Sequence, residues 1–264
     1  MARAKRHYIP GHIWHITHRC HKREFLLRFA RDRHRYLQWL YKARKKYGLT
    51  ILNYMITSNH IHLLVVDDGE RDVIPNSIQL VAGRTGQQYN QRKDRRGAYW
   101  EDRYHATAVE SGEHLARCMV YIDTNMVRAG VVKHPSMWPF CGYNEIQEPR
   151  RKNVLIAYEK LQKYIGVVSY EELKRNQRGW VEEYLGNGER IRQEEWSSSI
   201  AVGSKGFVEN VKSLLGFRAK GRDIVEGNDG YQLRERSVPY GGLFGGENND
   251  IGFENTYYWG ANDE

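Results

Sequence analysis

The amino-acid sequence predicts an α+β fold: an antiparallel sheet with helices between its strands, ferredoxin-like in outline. Up to about residue 143, segments that alternate apolar and polar residues are interleaved with segments whose apolar residues recur every three to four positions. The resulting order is strand, helix, strand, strand, helix, strand, helix. Adjacent strands with single helices between the others favour an antiparallel sheet.

Each element follows from a local pattern. The first strand is predicted at residues 12–20, where His15 and Thr17 share one face and Trp14 and Ile16 the other. A helix follows, with Lys and Arg crowded before Gly48, which favours the helix dipole and the C-cap. The predicted elements after the first strand are 30–48 (helix), 49–56 and 60–66 (strands), 72–93 (helix), 97–111 (strand) and 112–130 (helix).

Beyond residue 145 the pattern changes to helical segments without clusters of reactive side chains. Helices are predicted at 154–166, 169–186 and 204–216, the second of which begins at a capping box of Ser169 and Glu172. From residue 241 the sequence is acidic and rich in Gly and Asn, which is typical of a flexible tail. We therefore predict a first domain (1–145), a helical accessory region or C-terminal helical extension (146–240) and an acidic tail (241–264).

Charge is distributed unevenly along the chain. The formal net charge is +9, and residues 1–50 hold 14 Lys or Arg against only Glu24 and Asp32. A basic first part favours a polyanionic partner, since Lys and Arg release counterions when they neutralise phosphates. A solvated basic surface without a partner explains the charge equally well.

Cysteine content and hydropathy set the expected compartment. The three cysteines, Cys20, Cys118 and Cys141, are odd in number and lack C-x-x-C spacing, which indicates reduced thiols instead of a disulfide framework. No signal peptide and no run of 18 apolar residues is recognisable. We expect a cytoplasmic, nucleoid-associated protein that does not contact a membrane.

Two histidines interrupt the third predicted strand, "NHIHLLVV". Residues i and i+2 of a strand point to the same face, so His60 and His62 project side by side while Ile61 and Leu63 fill the other face. Two neutral imidazoles at this spacing form half of a metal site. An isolated H-x-H is more often a pair of structural histidines.

A second stretch, "ARCMVYIDTNMVRAGVV", reads as an amphipathic helix with a tyrosine on its polar side. Tyr121 and Asn125 are four residues apart, so their side chains are neighbours on one helical face. Such a face fits the wall of an active site, and equally the shoulder of an ordinary helix. The apolar stripe comprises Leu115, Cys118 or Met119, Ile122 and Met126, and the polar stripe comprises Arg117, Tyr121, Asn125 and Arg128.

Together, "NHIHLLV" and "YIDTNMVRAGVV" resemble the single-tyrosine HUH transposases, and within that group the bacterial REP-associated tyrosine transposases. The resemblance extends from residue 6 to about 143 and includes "YIPGHIWHITHRC" and "YWEDRYHA". Two positions depart from the family, which usually has Pro in place of Ser58 and often in place of Met126. Neither position is expected to be chemical.

The resemblance implies the HUH single-tyrosine transposase fold and an enzyme that cuts and rejoins DNA. His60, His62 and Asn125 would bind one divalent ion, Mg²⁺ or Mn²⁺, although insertion-sequence relatives use Gln in place of Asn125. Tyr121 would attack the scissile phosphate to form a 5′-phosphotyrosine and leave a free 3′-OH. The group that activates Tyr121 is not identified. Relatives include dimers and monomers, so a monomer and a homodimer are both compatible.

The substrate implied is single-stranded DNA next to a hairpin of a palindromic repeat. Candidate phosphate contacts are Arg19, Arg103 and Arg128. Candidate aromatic residues on which DNA bases could stack are Trp14, Trp100 and Tyr104. For each of these residues a structural role is an equally good explanation. His105 could face the site or cap its strand, and no role is predicted for the remaining histidines.

Two other functions are compatible with the sequence. A domesticated nucleic-acid-binding protein could keep the fold and the basic surface without cleaving DNA, but it would not need His60, His62, Tyr121 and Asn125 together. A metal-dependent phosphoesterase would need the metal ligands but not the tyrosine. A covalent protein–DNA adduct would distinguish a transposase from both.

Overall fold

The structure, a computed structural model, describes residues 9–68, 72–188, 193–228 and 230–235. The acidic tail predicted at 241–264 lies outside the described residues. The strands are β1 (Ile13–Arg19), β2 (Thr50–Ile56), β3 (His60–Val66), β4 (His105–Val109), β5 (Ala201–Gly203), β6 (Arg222–Gly227) and β7 (Gly230–Glu235). The helices are α1 (Ala30–Tyr47), α2 (Val73–Arg92), α3 (Glu113–Asp123), α4 (Asn125–Arg128), α5 (Gly142–Gln147), α6 (Tyr158–Ile165), α7 (Tyr170–Gly186), α8 (Glu195–Ser198) and α9 (Lys205–Leu215). Within the described ranges, no helix is both long and apolar enough to cross a membrane.

The first four strands form an antiparallel sheet in the order β2-β3-β1-β4. Helix α1 connects β1 to β2, and α2 connects β3 to β4. This βαββαβ arrangement is the ferredoxin-like motif. The predicted α+β fold class is confirmed.

The sheet continues beyond residue 145, where the sequence predicted only helices. Strand β5 pairs in parallel with β4, and β7 and β6 then extend the sheet in antiparallel pairs. Helices α6, α7 and α9 form as expected, but the purely helical description of 146–240 is wrong. Because β5 has only three residues, it is too short to show an alternating pattern. The domain boundary near residue 145 stays a prediction, with the sheet running across it.

The two faces of the sheet carry different helices. His18 on β1 stacks on Trp100 at 4.1 Å between ring centres. The Trp100 ring also meets Tyr36 of α1 and donates its Nε1–H to the Ala82 carbonyl of α2. On the opposite face of β1, His15 lies 6.0 Å from the ring of Tyr121 in α3. Helices α1 and α2 therefore cover one face, and α3 covers the other.

Helix α3 is anchored through the buried carboxylate of Asp123 at its end. Asn53 of β2 donates to one carboxylate oxygen at 2.9 Å, and Gln177 of α7 donates to the other at 2.8 Å. Burial raises the pKa of Asp123 to about 7, an effect that the two hydrogen bonds oppose. These contacts fix the end of α3 between the sheet and α7.

The predicted helix 112–130 is interrupted at Thr124, whose hydroxyl donates to the Val120 carbonyl at 2.7 Å. Such bonding from a Thr side chain to the fourth residue back often bends helices. The following turn, α4, carries Asn125 and Arg128. The interruption therefore falls between Tyr121 and Asn125.

Candidate active site

Three strands present polar side chains to the face that α3 covers. Arg19 on β1 lies opposite His60 on β3, and Thr17 lies opposite both His62 on β3 and His105 on β4. Directly paired residues of neighbouring strands point to the same face. The strand register thus gathers these side chains into one polar patch.

A cavity of about 590 Å³ opens over this patch. Carboxylates from two separate segments also line it, namely Glu101, Asp102 and Glu194. The residues of the predicted site that line the cavity are His60, His62, Tyr121, Asn125, Arg19, Arg103 and Arg128. The four candidate catalytic and metal-binding residues and the three candidate arginines are therefore neighbours in space, whereas Trp14, Trp100 and Tyr104 do not line the cavity.

His62 is held between a second histidine and an amide. Its Nδ1 lies 2.9 Å from Nε2 of His15, and its Nε2 lies 3.0 Å from Nδ2 of Asn125. His15 is fully buried, and its Nδ1–H donates to the Trp196 carbonyl at 2.6 Å. Burial lowers the pKa of His15 to about 3, so that its ring is neutral at neutral pH. The ring of His62 thus has a partner on each nitrogen.

His60 is oriented by the turn that precedes β3. Its Nδ1 lies 3.0 Å from the Thr57 hydroxyl and 2.7 Å from Oδ1 of Asn59. The same hydroxyl donates to the His60 carbonyl at 2.8 Å and accepts from the His60 amide at 3.0 Å. The rings of His60 and His62 are close to perpendicular, with centres 5.0 Å apart.

Tyr121 faces this histidine cluster from α3. Its ring centre is 5.8 Å from that of His62, and the two rings meet edge to face. The ring is only 3% exposed and also lies beside Trp196 of α8, at 6.4 Å. Within the described part of the chain, no hydrogen bond engages the Tyr121 hydroxyl. Among the described residues, the phenol is thus packed on its sides and has no hydrogen-bond partner at its oxygen.

Arg128 joins Tyr121 to the turn that carries Asn125. Its guanidinium carbon lies 4.2 Å from the centre of the Tyr121 ring. The same group donates to the Tyr121 carbonyl at 2.8 Å and to the Thr124 hydroxyl at 2.6 Å. Arg128 therefore bridges the interruption between α3 and α4.

The comparisons with known proteins find a similarity in the part of the chain that supplies most of this cavity. Residues 9–125 match the family model described as IS200-like transposases. This segment is similar to the IS200-like transposases. The match begins before β1 and ends at Asn125, so it includes His60, His62 and Tyr121. No protein in the curated set matches the chain.

Two solved structures are similar to the chain. One is a REP-associated tyrosine transposase bound to a REP hairpin, with 20% sequence identity, covering 55% of this chain and 84% of its own, at a TM-score of 0.47. The other is a transposase candidate from Deinococcus radiodurans, with 18% identity, covering 46% of this chain and 95% of its own, at a TM-score of 0.33. The similarity to transposases rests on the family model and not on these two structures.

The donor atoms of His60, His62 and Asn125 fit a divalent cation. Half a turn of the Asn125 terminal amide exchanges its nitrogen for its oxygen, which would then face His62 Nε2 at the observed 3.0 Å. Two adjacent ligands of an octahedral ion, each about 2.1 Å from the metal, are about 3.0 Å apart. Among the residues that the structure describes, no group of three or more His, Cys, Asp and Glu side chains is arranged to hold a metal. The predicted site instead combines two imidazoles with an amide.

The predicted DNA contacts have different surroundings. Arg19 and Arg103 line the cavity, and Arg19 lies 3.9 Å from Glu101 with both side chains well exposed. Trp100 does not line the cavity, because its ring packs between His18 and Tyr36 and its Nε1–H bonds to Ala82. A structural role explains Trp100 without DNA. Base contact by Trp100 stays untested.

The other two aromatic candidates and His105 also take structural positions. Trp14 and Tyr104 are buried, at 3% and 8% exposure, which leaves little ring surface for a base. His105 lines the cavity, and its Nε2–H donates to the Ser199 carbonyl at 3.0 Å. Burial lowers the pKa of His105. His105 therefore both faces the site and ties β4 to the segment before β5.

The sequence analysis did not predict several residues that contact His60 or His62 or that line the cavity. His15, for which no role was predicted, contacts His62 directly, and Thr57 contacts His60. Glu194, Ser197 and Ser198 close one side of the cavity from a segment outside the family match. The alternation in 12–20 already placed His15 on the same face as Thr17. Nothing in the sequence indicated that residues 193–198 would lie beside them.

Proposed function

We propose that this chain is a metal-dependent DNA strand transferase that nicks and rejoins single-stranded DNA beside hairpins of REP-type palindromes. The observation that carries the proposal is the meeting of Tyr121, His60, His62 and Asn125 around one cavity. These residues come from β3, α3 and α4, about 60 positions apart in sequence. The match of residues 9–125 to a transposase family model independently supports a DNA-processing enzyme.

Tyr121 is the proposed nucleophile. Its hydroxyl oxygen would form a bond to phosphorus while the bond from phosphorus to the 3′ oxygen breaks. The phenol proton leaves, and the departing 3′ oxygen gains a proton to become a 3′-OH. The 5′-phosphotyrosine conserves the energy of the broken bond, so attack by another 3′-OH rejoins strands without ATP. The packing of Tyr121 between His62, Trp196 and Arg128 supports this role, because it holds the ring beside the proposed metal ligands.

His60, His62 and Asn125 would hold the divalent ion, Mg²⁺ or Mn²⁺. When bound, such an ion polarises the scissile phosphate and offsets the charge that develops on the leaving oxygen. The imidazoles of His60 and His62 project side by side from one strand, and the Asn125 amide faces His62 Nε2. This chain's own contribution is to place these donors and the Tyr121 hydroxyl at the same cavity.

The cavity and the surrounding charge support a single-stranded substrate. A phosphodiester has to reach Tyr121 past Arg19 and Arg103, whose guanidinium groups can neutralise flanking phosphates. The resemblance to REP-associated tyrosine transposases supports a hairpin as the feature beside the cleavage point. The hairpin and the cleaved sequence are to be found experimentally.

The test is a cleavage assay on single-stranded hairpin DNAs with Mg²⁺ or Mn²⁺, resolved on a denaturing protein gel. We expect a metal-dependent covalent protein–DNA adduct that is absent in Tyr121→Phe. Tyr41→Phe is the matched control, because Tyr41 lies on α1, on the other face of the sheet, and should leave the adduct unchanged.

Each other outcome points to a different conclusion. An adduct that survives in Tyr121→Phe would mean that another residue is the nucleophile. Binding of many hairpins without any adduct would favour a domesticated nucleic-acid-binding protein. Metal-dependent cleavage without an adduct would favour a phosphoesterase.

A further inference from the structure

We propose that His15 and Thr57 are positioning residues that fix both histidines of the proposed metal site in the tautomer protonated on Nδ1. In that tautomer the lone pair of each ring is on Nε2 before any ion binds. The proposal rests on the metal site described above, and it adds the device that prepares the site. It also gives residues 193–198, outside the family-matched segment, a part in that preparation.

The protonation of His62 follows from a chain of contacts that starts at a backbone carbonyl. The Trp196 carbonyl can only accept, so the His15 nitrogen 2.6 Å away, Nδ1, carries the proton. His15 is fully buried, and full burial favours the neutral ring, so its Nε2 carries a lone pair. The His62 nitrogen that lies 2.9 Å from this lone pair, Nδ1, must then be the donor. In the neutral form that a metal ligand has to take, the lone pair of His62 is then on Nε2, the atom that faces Asn125.

The protonation of His60 follows from a second, independent series of hydrogen bonds. The His60 carbonyl accepts from the Thr57 hydroxyl at 2.8 Å, and this contact uses the single hydroxyl proton. The Thr57 oxygen can therefore only accept from its other neighbours, which are the His60 amide and His60 Nδ1, both at 3.0 Å, and the Asn59 amide at 3.3 Å. Oδ1 of Asn59, at 2.7 Å, is a second acceptor for the same Nδ1–H. His60 is thus also protonated on Nδ1.

Both series of hydrogen bonds end at a backbone carbonyl. Because a carbonyl can accept but cannot donate, the donor and acceptor roles in each series are fixed in the folded protein. Partners of this kind, behind the ligands of a metal, typically change metal affinity about 10- to 100-fold when they are removed. Without them, a ring protonated on Nε2 would have to move its proton before it could bind an ion. The fold therefore prepares the two nitrogens in advance.

The hydrogen bonds that lead from Trp196 through His15 to His62 also give a role to residues 193–198, which lie far from the site in sequence. His15 and Trp196 are 181 positions apart, and the Trp196 ring packs beside Tyr121 at 6.4 Å. One residue of α8 thus contacts the proposed nucleophile with its ring and orients a proposed ligand with its carbonyl. We expect the proposed site of His60, His62 and Asn125 to need α8 for its full affinity for Mn²⁺.

The first test reads the tautomers directly in the full-length, metal-free protein. Long-range ¹H–¹⁵N correlation spectra of ¹⁵N-histidine-labelled protein at neutral pH distinguish a ring protonated on Nδ1 from one protonated on Nε2. The signals of His60 and His62 are assigned by their loss in His60→Gln and His62→Gln. We expect both rings to be protonated on Nδ1. A ring found protonated on Nε2 would overturn the proposal for that histidine.

The second test removes each positioning residue and measures Mn²⁺ affinity by titration calorimetry or electron paramagnetic resonance. We expect His15→Phe to move His62 toward the Nε2-protonated form and to weaken Mn²⁺ binding about 10- to 100-fold. We expect Thr57→Val to change His60 in the same direction but to a smaller extent, because Asn59 Oδ1 remains as an acceptor for the His60 Nδ1–H. Thr57→Ser keeps the hydroxyl and should restore both properties. Thr85→Val is the matched control, because Thr85 is buried on α2 on the other face of the sheet.

The results separate this proposal from the proposed function. If His15→Phe and Thr57→Val fold, as thermal unfolding would report, and keep the wild-type tautomers and Mn²⁺ affinity, the positioning role is wrong even if the wild type forms a DNA adduct. If the variants fail to fold, the spectra of the wild type still decide the tautomers. If the wild type shows both rings protonated on Nδ1 but binds no Mn²⁺, the proposed metal site fails while the tautomer assignment stands.

Discussion

The guanidinium of Arg128 lies 4.2 Å from the ring centre of Tyr121 and donates to that residue's own carbonyl at 2.8 Å. A third contact, to the Thr124 hydroxyl, ties the same group to the point where α3 ends. Arg128 was considered as a phosphate contact from sequence, and that role stays a prediction. Its contacts also fit a residue that holds the proposed nucleophile and Asn125 in register.

We expect Arg128→Ala to slow formation of the Tyr121–DNA adduct about 10- to 100-fold. Hydrogen bonds of charged groups contribute about 1.5–3 kcal/mol, and about 1.4 kcal/mol corresponds to tenfold in rate. The measurement is the single-turnover rate of adduct formation at saturating DNA. Arg117→Ala is the control, because Arg117 is exposed on α3 and pairs with Glu113. Equal rates in Arg128→Ala and the wild type would remove the positioning role.

Substitution of Asn125 should change metal affinity in both directions. We expect Asn125→Asp to tighten Mn²⁺ binding, because a carboxylate places a charged oxygen where the amide now faces His62 Nε2. We expect Asn125→Leu, which is similar in size, to weaken binding roughly tenfold or more. Calorimetric titration with Mn²⁺ measures both. Unchanged affinity in both variants would exclude Asn125 from the ligand set.

Asp123 makes stability depend on pH. Its folded pKa of about 7 lies above the value of about 3.9 for an unfolded Asp, so between these values the folded protein binds the proton more tightly. Stability from this group is therefore present below about pH 4 and is lost as the pH rises through about 7. We expect the unfolding free energy of the wild type, relative to Asp123→Asn, to fall between pH 5 and pH 8. Chemical denaturation at both pH values measures the difference, and a constant difference would contradict the prediction.

The cavity arginines should set the salt dependence of DNA binding. For single-stranded DNA each phosphate contact contributes about 0.7 to the slope of log affinity against log salt concentration. We expect Arg19→Ala and Arg103→Ala each to reduce that slope by about this amount, since both side chains line the cavity. Arg175→Ala, exposed on α7, should leave it unchanged. Fluorescence anisotropy at several salt concentrations measures the slope, and equal slopes would show that neither arginine contacts phosphate.

Much of the fold followed from the sequence, because its patterns are local. Alternation over 12–20 and 60–66 predicted β1 and β3, and helical spacing predicted α1, α2 and most of α3. The strands β5, β6 and β7 were missed. β5 is only three residues long, β6 shows no alternation of apolar and polar residues, and the alternation in β7 is limited to residues 231–234. The helix predicted at 112–130 was interrupted at Thr124, where a side-chain hydrogen bond acts on the backbone.

The candidate site also has features that local patterns predicted and features that they did not. The spacing of two residues between His60 and His62, and of four between Tyr121 and Asn125, was enough to predict shared faces, because strand and helix periods fix where neighbouring side chains point. The meeting of the two pairs at one cavity required the strand register and the packing of α3.

Local patterns along the chain were thus enough to predict the ferredoxin-like order of elements and the side chains that could take part in chemistry, since both depend on interactions between near neighbours. The long-range contacts of those side chains could be found only from the folded protein. His15 reaches His62 across 47 positions and Trp196 across 181, and Trp100 is removed from the cavity by its packing against α1 and α2. Such contacts depend on how whole elements pack, and no local pattern encodes them.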